Sequence, residues 1–286
     1  MRRRRRLYRR EAKKQKKIII ASLFIILPIM AIGYGAFSTN INLSAWGNVL
    51  DKSRVIQSWG SNSNEDFHTD FYRKNIISAT FLDNAVVPSN AVEKWDVSES
   101  KDHGVMAYVI ESTPETGKYD LYIGAKGGVI ANANSNYLFD NFTEIKSISF
   151  DNNFDTSTST DMSFMFHLCH NLTRLDLSGF DTSHVTTMQS MFNMWDGAST
   201  ASELIYLDVS NFDTKKVTNM EGMFCECRNL SILNLCSFDV SGVTNSVGMF
   251  KHMTNLNYVY VNDDFNIGAD YLFANSNIFS VTKGTC

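Results

Sequence analysis

The chain has 286 residues, of which 44% are hydrophobic, an ordinary share for a globular protein and enough for one or two domains with a sizeable core. Its net charge of -4 conceals an uneven distribution, because residues 1–17 carry eleven Lys and Arg residues and a single acid, Glu11. The remainder holds 15 basic and 29 acidic residues, a net charge of -14, so a single domain of uniform charge is excluded.

Residues 18–37 form an uncharged apolar stretch directly after the basic segment. About twenty helical residues with a rise of ~1.5 Å each match the ~30 Å hydrocarbon core of a bilayer. The basic residues before the stretch predict a cytoplasmic N-terminus by the positive-inside bias. The sequence therefore predicts a transmembrane signal anchor at 18–37, a basic cytoplasmic segment at 1–17 and a bacterial single-pass membrane protein whose remaining residues are extracellular.

A cleaved signal peptide stays open as the alternative. Signal peptides share the basic start and the apolar run, and Ala36 and Ser38 fit a small-residue cleavage site that would release a secreted protein. The apolar run exceeds the roughly 7–15 residues usual for signal peptides, which favours the uncleaved anchor. Next to a membrane span, the basic run is expected to set topology and contact anionic lipid headgroups, so nucleic acid is not an expected partner.

The region between the span and the repeats divides into two parts. Residues 38–54 are polar and rich in Asn, which indicates a linker. Residues 55–136 contain short alternating apolar runs interrupted by Pro88 and Gly104, a pattern that predicts strands and turns. Because a solenoid needs a terminal cap to shield its first coil from water, we predict that 55–136 is this N-terminal cap. An independent ligand-binding domain is the alternative.

An internal repeat dominates the second half of the chain. Segments beginning at Leu172, Leu204 and Leu230 share the template L-x-x-L-[DN]-[LV]-x-x-F-D-[TV]-x-x-V-T, followed by a Met-Phe pair. Weaker copies begin at Ile145 and Leu256. The phenylalanines that close the repeats recur about every 26 residues: Phe139, Phe166, Phe192, Phe224, Phe250 and Phe273. One longer interval indicates an insertion around residues 196–202.

A period in the twenties with an L-x-x-L-x-L core is typical of a leucine-rich-repeat-like solenoid. The apolar residues of "VTTMQSMF" lie three apart, as in a short helical return. We therefore predict an α/β repeat solenoid over residues 137–262, in which each coil contributes a short parallel strand and a short helical return. Residues 263–286 are predicted to form a C-terminal cap. The repeat methionines are expected in the core.

Units such as "LDLSGFDTSHVTTMQSMF" resemble those of the BspA-like leucine-rich-repeat surface proteins of bacteria, and the resemblance covers roughly residues 119–261. It implies a solenoid on the cell surface that adheres to host or matrix proteins or to other cells. Cys169 and Cys227 follow the Met-Phe pair, where that family often has Cys. Cys225 and Cys236 depart from the pattern, which leaves a local disulfide open.

Motifs for chemistry are not apparent in the sequence. The five cysteines are an odd number, so at least one thiol stays unpaired in the monomer, and the C-x-C at Cys225 and Cys227 lacks zinc-site spacing. None of the six histidines lies in an H-E-x-x-H motif or beside a G-x-S-x-G motif. We therefore expect no catalytic residue, no metal and no cofactor, and a protein that is not an enzyme.

The variable positions of L-x-x-L are the predicted contact surface, because they can change without disturbing the buried ladder. The candidate partner-binding residues are Arg174, Ile205, Tyr206, Ser231 and Tyr258. The predicted function is binding or adhesion to a protein or glycan on host, matrix or neighbouring cells. Two alternatives remain. One is a structural envelope protein that self-associates through its solenoid ends or an unpaired cysteine. The other is an envelope hydrolase that uses His68 or His103 in the region 55–136.

Overall fold

The computed structural model describes residues 51–267 and Cys286, apart from Pro114, Ser199 and Ala201. Helix is scarce in this part of the chain and precedes the first strand. It comprises two single turns of 3-10 helix and one short α-helix, which are Lys52–Arg54, Asp66–His68 and α1 at Asp70–Arg73. Within these ranges, no helix is long and apolar enough to cross a membrane.

The prediction of a membrane anchor is corrected here, because no described helix supports it. Residues 1–17 and 18–37, on which the prediction depends, lie outside the described residues. The described part of the chain contains no spanning helix that could take their place. The single-pass location and the membrane as a partner through an N-terminal helix are therefore unsupported, and we withdraw both.

The first part of the described chain builds a five-stranded mixed sheet. The first six strands are β1 Ile76–Leu82, β2 Glu93–Asp96, β3 Val105–Glu111, β4 Tyr119–Ala125, β5 Val129–Ile130 and β6 Ser147–Ser149. The sheet has the order β2-β3-β4-β1-β6, with β3 antiparallel to both β2 and β4, and with β1 parallel to both β4 and β6. Because β6 belongs to the first coil of the repeats, its parallel pairing with β1 joins this sheet to that coil through backbone hydrogen bonds.

Short parallel strands recur through the repeat region. They are β7 Phe154–Asp155, β8 Arg174–Asp176, β9 Tyr206–Asp208, β10 Ile232–Leu235 and β11 Tyr258–Val261. Strand β5 pairs with β7, β8 with β9 and β10 with β11. Leu175 lies opposite Leu207, and Leu233 lies opposite Val259, so the apolar positions of the sequence template stack from coil to coil. One hydrophobic core runs from the five-stranded sheet to β11.

A column of stacked phenylalanine rings passes through this core. The rings are those of Phe139, Phe166, Phe192, Phe224 and Phe250, and all are almost completely buried. Successive ring centroids lie 5.9, 5.8, 5.6 and 5.7 Å apart, with ring planes within 9° of parallel. The methionine before each ring is buried beside it at four of these positions, Met165, Met191, Met223 and Met249, which confirms the prediction that the repeat methionines are core residues.

The predicted helical returns are wrong, and with them the α/β repeat solenoid of leucine-rich-repeat type. In the return at residues 188–194, alternate backbone N–H groups donate to the next coil. Met188 donates to Asn219 at 2.9 Å, and Ser190 donates to Glu221 at 2.8 Å. An α-helix would use these groups internally, and Ser190 has a φ of 52°, outside the helical region. The repeat region is therefore a solenoid of strands and turns.

The physical reason for this error lies in the three-residue spacing of the apolar side chains. Met191 N–H bonds to the carbonyl of Met188 at 3.3 Å, which is the bond of a tight turn. A succession of such turns places apolar residues three apart, as a helical turn does. A helix of about eight residues gains little on its own because nucleation is costly, whereas the neighbouring coil offers an acceptor to every second N–H.

Threonine side chains and aspartate backbone groups join successive coils at the turn that contains the "FD" pair. The Thr182 hydroxyl donates to the Asp213 carbonyl at 3.0 Å and accepts from the Asp213 N–H at 2.8 Å. The pairs Thr156 with Asp181 and Thr214 with Asp239 repeat the arrangement. The Asp181 carboxylate also accepts from the Ser183 N–H at 2.9 Å, so the "FDT" of the template satisfies backbone groups both within a coil and between coils.

The cysteines divide into one disulfide and three buried thiols. Cys236 is bonded to Cys286, 50 residues further along the chain. Cys169, Cys225 and Cys227 are free and buried. Burial raises the pKa of all three thiols, to about 11 for Cys225, so they are protonated at neutral pH and act as small hydrophobic side chains.

Replacing Phe192 by Ala should lower the free energy of unfolding by about 3–5 kcal/mol, because the change leaves a cavity in the middle of the column. Denaturant titration of the full-length chain measures this loss. The matched control is Phe71→Ala, since the Phe71 ring is 54% exposed, and its loss should be far smaller. Equal losses in the two variants would show that the column does not dominate stability.

Replacing Cys286 by Ser should lower the free energy of unfolding by about 2–4 kcal/mol, because the disulfide closes a long loop in the unfolded chain. Reductant should shift the thermal midpoint of the wild-type protein to that of the variant and leave the variant unchanged. Unfolded without reductant, the wild-type chain should expose three reactive thiols. Five reactive thiols, or no response to reductant, would contradict the disulfide.

Candidate binding face

The outward side chains of β8, β9, β10 and β11 form one surface, here called the strand face. Its members are Arg174, Asp176, Tyr206, Asp208, Ile232, Asn234, Tyr258 and Tyr260. They flank a central inward residue of each strand, since successive side chains of a strand point to opposite sides. Parallel pairing sets Arg174 opposite Tyr206 and Asp176 opposite Asp208 on the first pair of strands. On the second pair, Ile232 lies opposite Tyr258 and Asn234 opposite Tyr260.

Large apolar side chains are exposed on this face. Tyr206 is 39% exposed, Ile232 53%, Tyr258 49% and Tyr260 38%. The same strands bury Leu175, Leu207, Leu233 and Val259 on their other side. The strands thus present hydrophobic surface both to the core and to solvent, and exposed apolar surface gathered in one place is typical of an interaction site.

An arginine and an aspartate flank the ring of Tyr206. The Arg174 guanidinium lies 4.2 Å from the ring centroid, which is a cation–π contact. The Tyr206 hydroxyl donates to the Asp208 carboxylate at 3.4 Å, and the negative charge of Asp208 raises the pKa of Tyr206. Hydrogen bonds from Ser178 lower the pKa of Asp176, so that carboxylate is ionised at neutral pH.

Three of the five predicted contact residues lie on the strand face, namely Arg174, Tyr206 and Tyr258. Ile205 and Ser231 lie one position before β9 and β10 and are also exposed. Their backbones form hydrogen bonds between coils. The Ile205 N–H donates to the Thr173 carbonyl at 3.0 Å, and the Ser231 carbonyl accepts from the Asn257 N–H at 2.9 Å. They border the strand face rather than form it.

Sequence reasoning missed the other members of the face, which are Ile232, Tyr260, Asp176, Asp208 and Asn234. Three of them, Asp176, Asp208 and Asn234, are the [DN] of the repeat template, and Tyr260 takes the same position in the last, weaker copy. Because nearly the same residue recurs at this position in each repeat, the position resembled one that the fold requires. Strict two-residue alternation about the central leucine would have assigned it to the outward side.

An exposed aromatic residue outside the strand face, Trp195, lies directly before the insertion. Trp195 is 44% exposed, and its ring packs against the ring of His252 at 5.8 Å, with Lys251 Nζ 5.6 Å from the Trp195 centroid. His170 bonds to the carbonyl of Met194 at 3.0 Å, at the start of the insertion. These contacts hold the segment that leads into the insertion against its neighbouring coils, and side chains of the chain itself cover part of Trp195.

The two histidines of the hydrolase alternative lie in different environments. His68 is fully buried, stacked on Trp59 at 4.3 Å, and its Nε2 lies 2.9 Å from the Leu138 carbonyl oxygen. Burial lowers the pKa of His68 to about 3, so the ring is neutral and enclosed. His103 is exposed and lies 3.2 Å from Asp96. Among the described residues, no three His, Cys, Asp or Glu side chains are placed to hold a metal ion.

A comparison with known protein families gives a match over part of this chain. Residues 133–262 match the model of a family described as "Mycoplasma protein of unknown function, DUF285". No curated protein and no solved structure matches the chain. The matched range is somewhat less than half of the chain, and it contains the phenylalanine column and all four strands of the strand face.

Proposed function

We propose that this protein is a recognition module that binds a partner protein through the strand face and does not carry out a reaction. The observation that carries the proposal is the cluster of exposed Tyr206, Ile232, Tyr258 and Tyr260 on strands whose other side is already buried. Aromatic side chains supply much of the energy of protein interfaces. The solvent-exposed parts of these side chains do not stabilise the fold. Their clustering on one surface therefore favours a role in binding.

The variation of the face from coil to coil supports the same proposal. At the inward position the four strands carry Leu, Leu, Leu and Val, whereas the outward position before it carries Arg, Tyr, Ile and Tyr. The core restricts only the inward position. The outward positions can therefore match a partner without cost to the ladder, which is how repeat proteins acquire binding surfaces.

Backbone rigidity adds to the suitability of the face. Each contact side chain stands on a strand that is paired with a neighbour, so its backbone is fixed before a partner arrives. A fixed backbone reduces the ordering entropy that binding must overcome. The likeness of the repeat template to the BspA-like proteins points toward adhesion as the biological use of such a face.

The test is a comparison of two double variants of the full-length chain. Peptides are selected on the wild-type protein from a displayed library of random 15-residue sequences. The double variant Tyr206→Ser with Ile232→Ser should bind the selected peptides at least about tenfold more weakly, because interface aromatic and apolar anchors contribute one to several kcal/mol. Titration by fluorescence anisotropy measures the affinities.

The matched control is Val86→Ser with Val247→Ser, which removes two exposed apolar side chains outside the strand face. Circular dichroism and thermal unfolding should show both double variants folded, since all four positions are solvent-exposed. Equal losses of peptide affinity in the two double variants would overturn the proposal. So would selected peptides whose affinity does not change when strand-face residues are replaced.

A further inference from the structure

We propose that the last strand of the face, β11, is a receptor for a cationic side chain of the partner, with Tyr258 and Tyr260 accepting an arginine or lysine. This inference rests on the proposed binding function and specifies the chemistry of its ligand. The site consists of two exposed tyrosine side chains two residues apart on one strand.

The first pair of strands shows how this surface receives a cation. Arg174 lies directly opposite Tyr206 in register, and its guanidinium covers the Tyr206 ring at 4.2 Å. Tyr258 occupies the same position in its own coil as Tyr206. Opposite Tyr258, however, the chain carries Ile232, and opposite Tyr260 it carries Asn234. In the described ranges, no cation of the chain lies over the ring of Tyr258 or Tyr260.

The charges of the strand face as a whole, together with two carboxylates that follow β11, favour a positive ligand over a negative one. The strand face carries Asp176 and Asp208 against the single cation Arg174. Asp263 and Asp264 follow β11 within three residues and are exposed. A guanidinium or ammonium group on a tyrosine ring near such carboxylates gains from both the ring quadrupole and the negative potential, whereas an anion would be repelled.

The occupant that fits is therefore an extended segment of a partner protein that carries Arg or Lys next to apolar residues. The apolar residues pack on Ile232 and the ring edges, and the cation lies on the exposed ring faces. An acidic or purely apolar segment would leave the acids of the face unpaired. A cation–π contact that becomes desolvated on binding changes affinity by about 5- to 30-fold.

The experiment uses peptides selected from the same random library on the full-length chain. Each peptide is synthesised with arginine and with citrulline, which has nearly the same shape and no charge. On the wild-type protein, the citrulline form should bind about 5- to 30-fold more weakly. Tyr258→Leu with Tyr260→Leu should remove most of that difference and leave only the part that the carboxylates contribute, whereas Tyr258→Phe with Tyr260→Phe, which keeps both rings, should retain it in full.

A gain-of-binding variant provides a second measurement. Arg174→Ala uncovers the ring of Tyr206, so arginine peptides should bind this variant more tightly than the wild type, and citrulline peptides should not. Equal binding of arginine and citrulline forms to the wild type would overturn the receptor, as would a preference for arginine that the double leucine change leaves undiminished. If the citrulline forms bind equally while Tyr206→Ser with Ile232→Ser still abolishes binding, the proposed function stands and only this inference fails.

Discussion

The stacking of one phenylalanine ring per coil is the interaction on which the rest of the structure depends. Successive centroids along the column from Phe139 to Phe250 lie 5.6 to 5.9 Å apart, more than the ~4.8 Å between paired strands, so the nearly parallel rings stack with a lateral offset. This repeat distance brings each return segment within hydrogen-bonding reach of the next. Once the coils are in register on that side, the leucines of the strands and the Thr-Asp pairs of the corners meet their equivalents without further adjustment.

The same constraint separates the structural positions from the variable ones. Inward positions must supply an apolar side chain of the right size, because a misfit is repeated against two neighbours. The outward positions of β8 to β11 carry no such requirement, and there the chain places arginine, tyrosine, isoleucine and aspartate. The proposed recognition function is consistent with this division, because the residues that build the solenoid and those that would meet a partner lie on opposite sides of the same strands.

Sequence reasoning located the repeat, its period, its insertion and its buried methionines, because these depend on apolar spacing that any ladder requires. It failed on the conformation of the return, since tight turns and a helix both place apolar residues three apart. It found Arg174, Tyr206 and Tyr258 but missed Asp208 and Tyr260, because their position looked like part of the template. The bond between Cys236 and Cys286 was beyond reach, because Cys286 lies outside every copy of the repeat and only the fold brings the two together.

The hydrogen bonds between coils run along the axis of the solenoid, and this direction has a mechanical consequence. A tensile load on one end of such a stack would peel its coils away one at a time, since each interface bears the whole force in turn. The disulfide changes where the load enters. A pull applied at Cys286 is transmitted through the covalent bond to Cys236, directly after β10, and bypasses the chain between them. Strand β11, with Tyr258 and Tyr260, is therefore shielded from force while the bond is intact.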